Sequence, residues 1–381
     1  MKLLHTFLYI LGTVCAAGAT ACGGGDEPDK PAVAESIAVG TEATITVGAD
    51  GATVGPLAVT ATGEWDVACE QSWVRLAKTG TTLKTGGTVT LTVEANNTRQ
   101  ERTATLVCMS GRARANVSIV QAGKAPVPVD PTINVPDGYE LVWNDEFDTG
   151  TTLGSDWRHE VQGPGWVNNE LQTYVNGEQG GRRVTEITDG HLTITAFKAN
   201  GKVYSGRVYA MENTGWKYGI FEAAIRLPKG KGTWPAFWMM PSNNNFATNP
   251  WPRCGEIDIM EEVGYNPEYT SSSIHCQAYN HTIGTQRTAE RRTPGSQDEY
   301  HIYRLEWTED YIETSIDGVR LLRFDNDGKG NVSTWPFNKP FYIILNLAWG
   351  GDWGGAQGVD ESCLPATMDV EYVRVFQKKI N

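Results

Sequence analysis

Apolar and polar residues alternate with period two in short runs along almost the whole chain, and no helix-length apolar stripe interrupts them. Thr44-Ile-Thr-Val, Thr88-Val-Thr-Leu-Thr-Val and Ala115-Asn-Val-Ser-Ile-Val alternate in the first third. Leu192-Thr-Ile-Thr-Ala, Phe221-Glu-Ala-Ala-Ile-Arg-Leu and Met368-Asp-Val-Glu-Tyr-Val-Arg-Val-Phe do so later. Tyr311 to Ile316 and Val319 to Leu322 flank Asp317-Gly318, a two-residue hairpin signal. Side chains on a strand point alternately to its two faces, so such runs each bury one face against another sheet. The chain is therefore all-β. Residues 35–123 predict a small Ig-like β-sandwich. From 139 to 381 there are enough strands for two large stacked antiparallel sheets, one of which can curve into a groove.

The remaining stretches read as connections and an export segment. Lys2, the short apolar run Leu3 to Val14 and the small residues Ala16 to Ala21 predict a signal peptide over 1–21. Cys22 follows directly, before Gly23-Gly24-Gly25-Asp26-Glu27-Pro28. This resembles a bacterial lipobox, which implies lipidation of Cys22, although Ala19 stands where such boxes usually carry Leu. A plain secretory signal cut before Cys22 is the other reading. On the first reading the protein is an exported bacterial lipoprotein of the outer membrane or cell surface, touching membrane only through that anchor. Residues 22–34, rich in Gly, Pro and acid, predict a flexible tether, and the prolines of 124–138 a semi-rigid linker. A length of 381 residues suits two domains plus the export segment, and the net charge of −13 excludes a nucleic-acid backbone as partner. The 13 tryptophans suit either an aromatic core or a groove for flat sugar rings. Of the 7 cysteines, setting aside Cys15 and Cys22 leaves Cys69, Cys108, Cys254, Cys276 and Cys363, an odd set matching no zinc motif. A Cys69–Cys108 disulfide is compatible with export, but spacing does not fix it.

Glu256-Ile-Asp-Ile-Met-Glu261 concentrates the chemistry. On a strand Glu256 and Asp258 share a face, while Glu261 is out of phase with them. One extra residue, a β-bulge around Ile259-Met260, would return Glu261 to that face. Three like charges in a row repel, so a purely structural role is costly. A glycosidase uses such repulsion, since one carboxyl must be ionised to attack the sugar and its partner must stay protonated to release the leaving group. Taken alone, the pattern fits an exposed acidic strand or a metal site equally well.

Two resemblances bear on these readings. Trp65-Asp-Val, Ser72-Trp-Val, Asn96-Asn-Thr-Arg, Arg102-Thr-Ala and Val120-Gln resemble a BACON domain, which implies either a carbohydrate-binding module or a spacer. Leu141-Val-Trp-Asn-Asp-Glu-Phe, Asn168-Asn-Glu-Leu-Gln-Thr-Tyr, Ser205-Gly-Arg-Val, Gly232-Thr-Trp-Pro-Ala-Phe-Trp-Met and Cys254-Gly-Glu-Ile-Asp-Ile-Met-Glu resemble glycoside hydrolase family 16. The likeness is to its laminarinase-like endo-β-glucanases and their six-residue bulged motif. It implies a concanavalin-like β-jelly roll and a retaining, endo-acting hydrolase of β-1,3-glucan or mixed-linkage β-1,3/1,4-glucan. It implies Glu256 as nucleophile, Asp258 as its assistant and Glu261 as acid/base, with Asn169, Arg207, Trp234, Trp238 and His275 along the groove. Trp238 could instead be core, and His275 a structural histidine. Trp349 stands where laminarinases usually carry a small aliphatic residue, which points to an altered subsite. No cofactor is implied for catalysis. A structural calcium is implied at Glu146, the Gly190 carbonyl and Glu371. The expected partner is a β-glucan, and the expected state a monomer. A hydrolase of red-algal galactans and a non-catalytic carbohydrate-binding lipoprotein are the competing functions.

Overall fold

A computed structural model of the chain describes residues 35–83, 85–96, 100–123 and 131–379. The signal peptide, Cys22 and the tether lie outside these. The chain divides into two compact units, residues 1–124 and 125–381. Among the described residues no helix is long and apolar enough to cross a membrane.

The first unit is a sandwich of two four-stranded sheets. One holds Ile37–Val39, Ala52–Ala61, Gly87–Val93 and Val74–Thr79; the other holds Thr44–Val47, Ala113–Gln121, Arg102–Ser110 and Asp66–Ala68. Val59, Val89 and Leu91 from one sheet meet Ile45, Leu106 and Ile119 from the other in a common core. Trp65 is buried there with its Nε1 donating to the Gly80 carbonyl at 2.9 Å. No disulfide joins Cys69 to Cys108, and both are free thiols. The register explains this: Ala68 lies opposite Val107 and Val67 opposite Cys108, so Cys69 falls two positions out of step with Cys108.

The second unit stacks a seven-stranded sheet on a ten-stranded one. The seven run in the order Trp157–His159, Arg207–Ala210, Phe341–Trp349, Thr233–Pro241, Glu256–Glu261, Tyr269–His275 and Arg287–Arg292. Phe237, Met239, Ile257, Ile343, Leu345 and Leu347 of this sheet pack against Phe221, Ile225, Leu305, Trp307, Val370 and Val373 of the other. The second sheet is thus lined on its inner face by the period-two runs read from the sequence. The Asp317-Gly318 hairpin forms with both residues at positive φ, 50° and 76°, as a tight two-residue turn between twisted strands needs. The prolines of 124–138 predict a linker, but Ile133 is buried beside Leu141, Ile220 and Phe376. Its packed segment therefore starts before Tyr139. Trp349 is 1 % exposed and lies behind the sheet, its ring close under Gly232, so it does not shape a subsite as the sequence suggested.

Candidate active site

One face of the seven-stranded sheet is in the core, and the other carries the candidate residues. The bulge that puts them together is explicit in the pairing. Asp258 lies opposite Ser273 and Glu261 opposite Ser271, so three steps on one strand match two on its neighbour. Ile257, Ile259 and Met260 all face the core, while Glu256, Asp258 and Glu261 share the outer face. The strand entry is equally constrained. Gly255 sits at φ 89°, and a Cβ there would lie 2.9 Å from Pro336 Cγ.

Cross-strand register arranges the outer face in rows. Arg207 lies opposite Asn346, Asn346 opposite Ala236, and Ala236 opposite Glu261. In the next row Trp238 lies opposite Asp258, and Glu256 faces His275. Trp234 Nε1 donates to Glu261 Oε1 at 2.9 Å, fixing one carboxylate oxygen. Trp238 Nε1 donates to Asn346 Oδ1 at 2.7 Å, and its half-exposed ring has the Arg207 guanidinium 4.7 Å from its centre. The ring belongs to the outer face rather than the core. His275 Nε2 is 3.2 Å from Asp258 Oδ2 and 3.9 Å from Glu256 Oε1. The first pair is close but poorly angled, and Asp258 Oδ2 has no hydrogen-bond partner among the described residues. Asn169 donates to both carboxylate oxygens of Asp352, at 2.9 and 3.1 Å.

The three acids do not behave as surface carboxyls. Burial pushes Glu256 up to about 8, with the Asp258 charge adding to it and His275 opposing. Burial pushes Glu261 to about 8 as well, with Asp258 adding and the Trp234 N–H opposing. Asp258, 3 % exposed, is driven well above the carboxylate range by burial. A set so desolvated cannot ionise fully, and it holds at least one proton near neutral pH. That is the division between nucleophile and acid that glycoside cleavage requires.

Several outer-face groups escaped the sequence reading. Trp166, 42 % exposed, has the Arg207 guanidinium 5.0 Å from its ring centre, so Arg207 lies between two indoles. Trp353 packs edge-on to Trp234 at 5.4 Å, and Trp251 lies 5.9 Å from His275. Gly165-Trp166 and Gly350-Gly-Asp-Trp353 are aromatic residues in Gly-rich turns, a signal that composition alone did not separate from core tryptophans. Among the described residues, Glu256, Asp258 and His275 are the group whose ligand atoms lie within 4.8 Å of one another. The calcium set does not fit a cation. Glu146 receives Arg374 Nε and Nη2 on its two oxygens at 2.9 and 2.7 Å, so the positive charge is already supplied, and Glu371 is exposed.

Residues 171–374 match the profile of glycosyl hydrolases family 16, and residues 63–122 that of BACON, a putative N-terminal binding domain. The chain is 42 % identical over 250 residues to a β-glucanase of Rhodothermus marinus, spanning 63 % of this chain and 85 % of that protein. It resembles the crystal structure of SCLam, a non-specific endo-β-1,3(4)-glucanase of that family, with a TM-score of 0.60 and 40 % identity, over 65 % of this chain and 94 % of that one. A mutant of SCLam co-crystallised with 1,3-β-D-cellotriosyl-glucose, with 1,3-β-D-cellobiosyl-glucose at its active site, matches with a TM-score of 0.60 and 41 % identity, over 65 % and 97 %.

Proposed function

The chain belongs to family 16 of the glycosyl hydrolases, and from that premise we propose an endo-β-glucanase that cuts internal bonds of β-1,3-glucan or mixed-linkage β-1,3/1,4-glucan with retention. The bulged strand carries the reading, because it gathers two long glutamates and a buried aspartate on one open face. In the first step a Glu256 oxygen attacks C1 while Glu261 gives its proton to the glycosidic oxygen, and the C1–O bond breaks. The sugar is then esterified to Glu256. In the second step the Glu261 carboxylate takes a proton from water, the water oxygen attacks C1, and Glu256 leaves as carboxylate. Direct attack of this kind needs carboxyls about 5–5.5 Å apart. Burial and then the Asp258 charge hold both glutamates above the ordinary carboxyl range and so keep a proton in the set, and the Trp234 N–H holds Glu261 in a single orientation.

Trp234, Trp238 and Trp166 offer flat faces to sugar rings, and the Arg207 guanidinium beside Trp166 and Trp238 offers N–H donors to a hydroxyl. The glucanase relatives support glucan over galactan as substrate. Reducing-sugar release from laminarin, barley β-glucan, agarose and carrageenan in parallel tests this. Activity on the first two is expected, and activity confined to the galactans would overturn it. Lipidation at Cys22 would hold the enzyme at the membrane, with the BACON module as spacer. Cys22→Ser should then release the protein to the soluble fraction.

A further inference from the structure

A directed chain of hydrogen bonds runs from the outer face into the protein. Trp238 Nε1 donates to Asn346 Oδ1 at 2.7 Å, Asn346 Nδ2 donates to the Tyr174 hydroxyl at 3.3 Å, and that hydroxyl donates to Glu170 Oε2 at 3.3 Å. Each middle member both accepts and donates, so the direction of every bond is set by the one acceptor-only group at its end. Glu170 is 6 % exposed, and Gln172 Nε2 also donates to Oε2, at 2.6 Å. Asn168 Nδ2 donates to its other oxygen at 3.3 Å. Gln172 Oε1 in turn accepts from the Trp349 backbone N–H at 2.8 Å. The turn that delivers Glu170 inward has Asn168 and Asn169 both at positive φ, 50° and 52°, a conformation asparagine tolerates better than most residues.

We propose that Glu170 is a positioning residue for glucan binding, acting through Tyr174 and Asn346 on the indole of Trp238. This rests on the glucanase reading above. An indole on an open face has two torsions to fix, and packing against Arg207 on one side leaves its flip unspecified. A hydrogen bond at Nε1 selects one orientation, and a chain ending on a buried carboxylate strengthens that bond by polarising each link.

Tyr174→Phe removes one hydroxyl from the middle of the chain and no bulk, and Glu170→Gln removes the terminal charge. With laminarihexaose as substrate, Tyr174→Phe should raise KM about fivefold, the equivalent of one ordinary hydrogen bond, with kcat within about twofold. Calorimetric titration of laminarihexaose into each variant, carrying Glu256→Ser to stop turnover, should show the same weakening. Glu170→Gln, which takes the charge from the end of the chain, should raise KM in the same direction. A brace that only holds the fold would lower Tm and leave KM and affinity unchanged; that result in both variants overturns the proposal. A wild-type chain that neither hydrolyses nor binds laminarihexaose overturns the glucanase reading instead, and the proposal falls with it.

Discussion

At the scale of single residues, Glu256 and Glu261 are held alike by burial but carry opposite tasks, so each must be indispensable. Glu256→Ala and Glu261→Ala should each lower kcat by about 10²–10⁴ or more while the protein stays folded. Azide should restore turnover in the Glu256 variant, attacking C1 in place of the missing carboxylate and leaving an α-glycosyl azide. Unchanged turnover in either variant contradicts the assignment. The same groups make stability depend on pH. Glu256 and Glu261 sit near 8 in the fold against an ordinary 4.5, so between those values the fold binds protons that the unfolded chain has released. Their contribution to stability is therefore complete below about 4.5 and is lost as the pH rises towards 8. Glu261→Gln removes that penalty and keeps an oxygen for the Trp234 N–H. It should melt higher than the parent at pH 8 and alike at pH 4, with roughly 2–4 °C for each kcal/mol regained. A variant that melts lower at pH 8 would show that the buried charge is better compensated than argued.

At the scale of elements, the bulge carries the site. Removing Ile259 leaves Glu-Ile-Asp-Met-Glu, in which strict alternation keeps all three carboxyls on one face. Removing Ile257 leaves Glu-Asp-Ile-Met-Glu, which turns Asp258 away from Glu256. Laminarin hydrolysis should survive the first deletion and vanish in the second, and the reverse order would refute the register. This strand was legible in the sequence because period-two patterning and carboxyl spacing are local properties. So were the Asp317-Gly318 turn and the alternating runs of the inner faces. What was not legible depends on contacts far apart in the chain. Trp349 and Trp238 both follow apolar residues in β-rich runs, yet one is buried under Gly232 and the other faces outward beside Arg207. Arg374 claims Glu146 from 228 residues away, and Asp352 claims Asn169 from 183 away. Ile133 lies among linker prolines and is buried only because Leu141, Ile220 and Phe376 meet over it.

At the scale of the whole molecule, each compact unit has its own core, and every candidate catalytic group lies in the second. Residues 125–381 alone should fold and hydrolyse soluble laminarin at the full rate, and a collapse of activity would mean that the first unit contributes to the site. An open face that carries exposed tryptophans beside the carboxyls should bind a polymer at internal points, so viscosity should fall before much reducing sugar forms. Release of short sugars without early loss of viscosity would contradict endo action. The central claim is that Glu256 attacks C1 directly and Glu261 first gives and then recovers a proton. Two displacements at one carbon restore its configuration. Proton NMR of the anomeric signals in the first minutes of laminarin hydrolysis tests this most directly: the account predicts the β-anomer as the first product, and an initial α-anomer would contradict it.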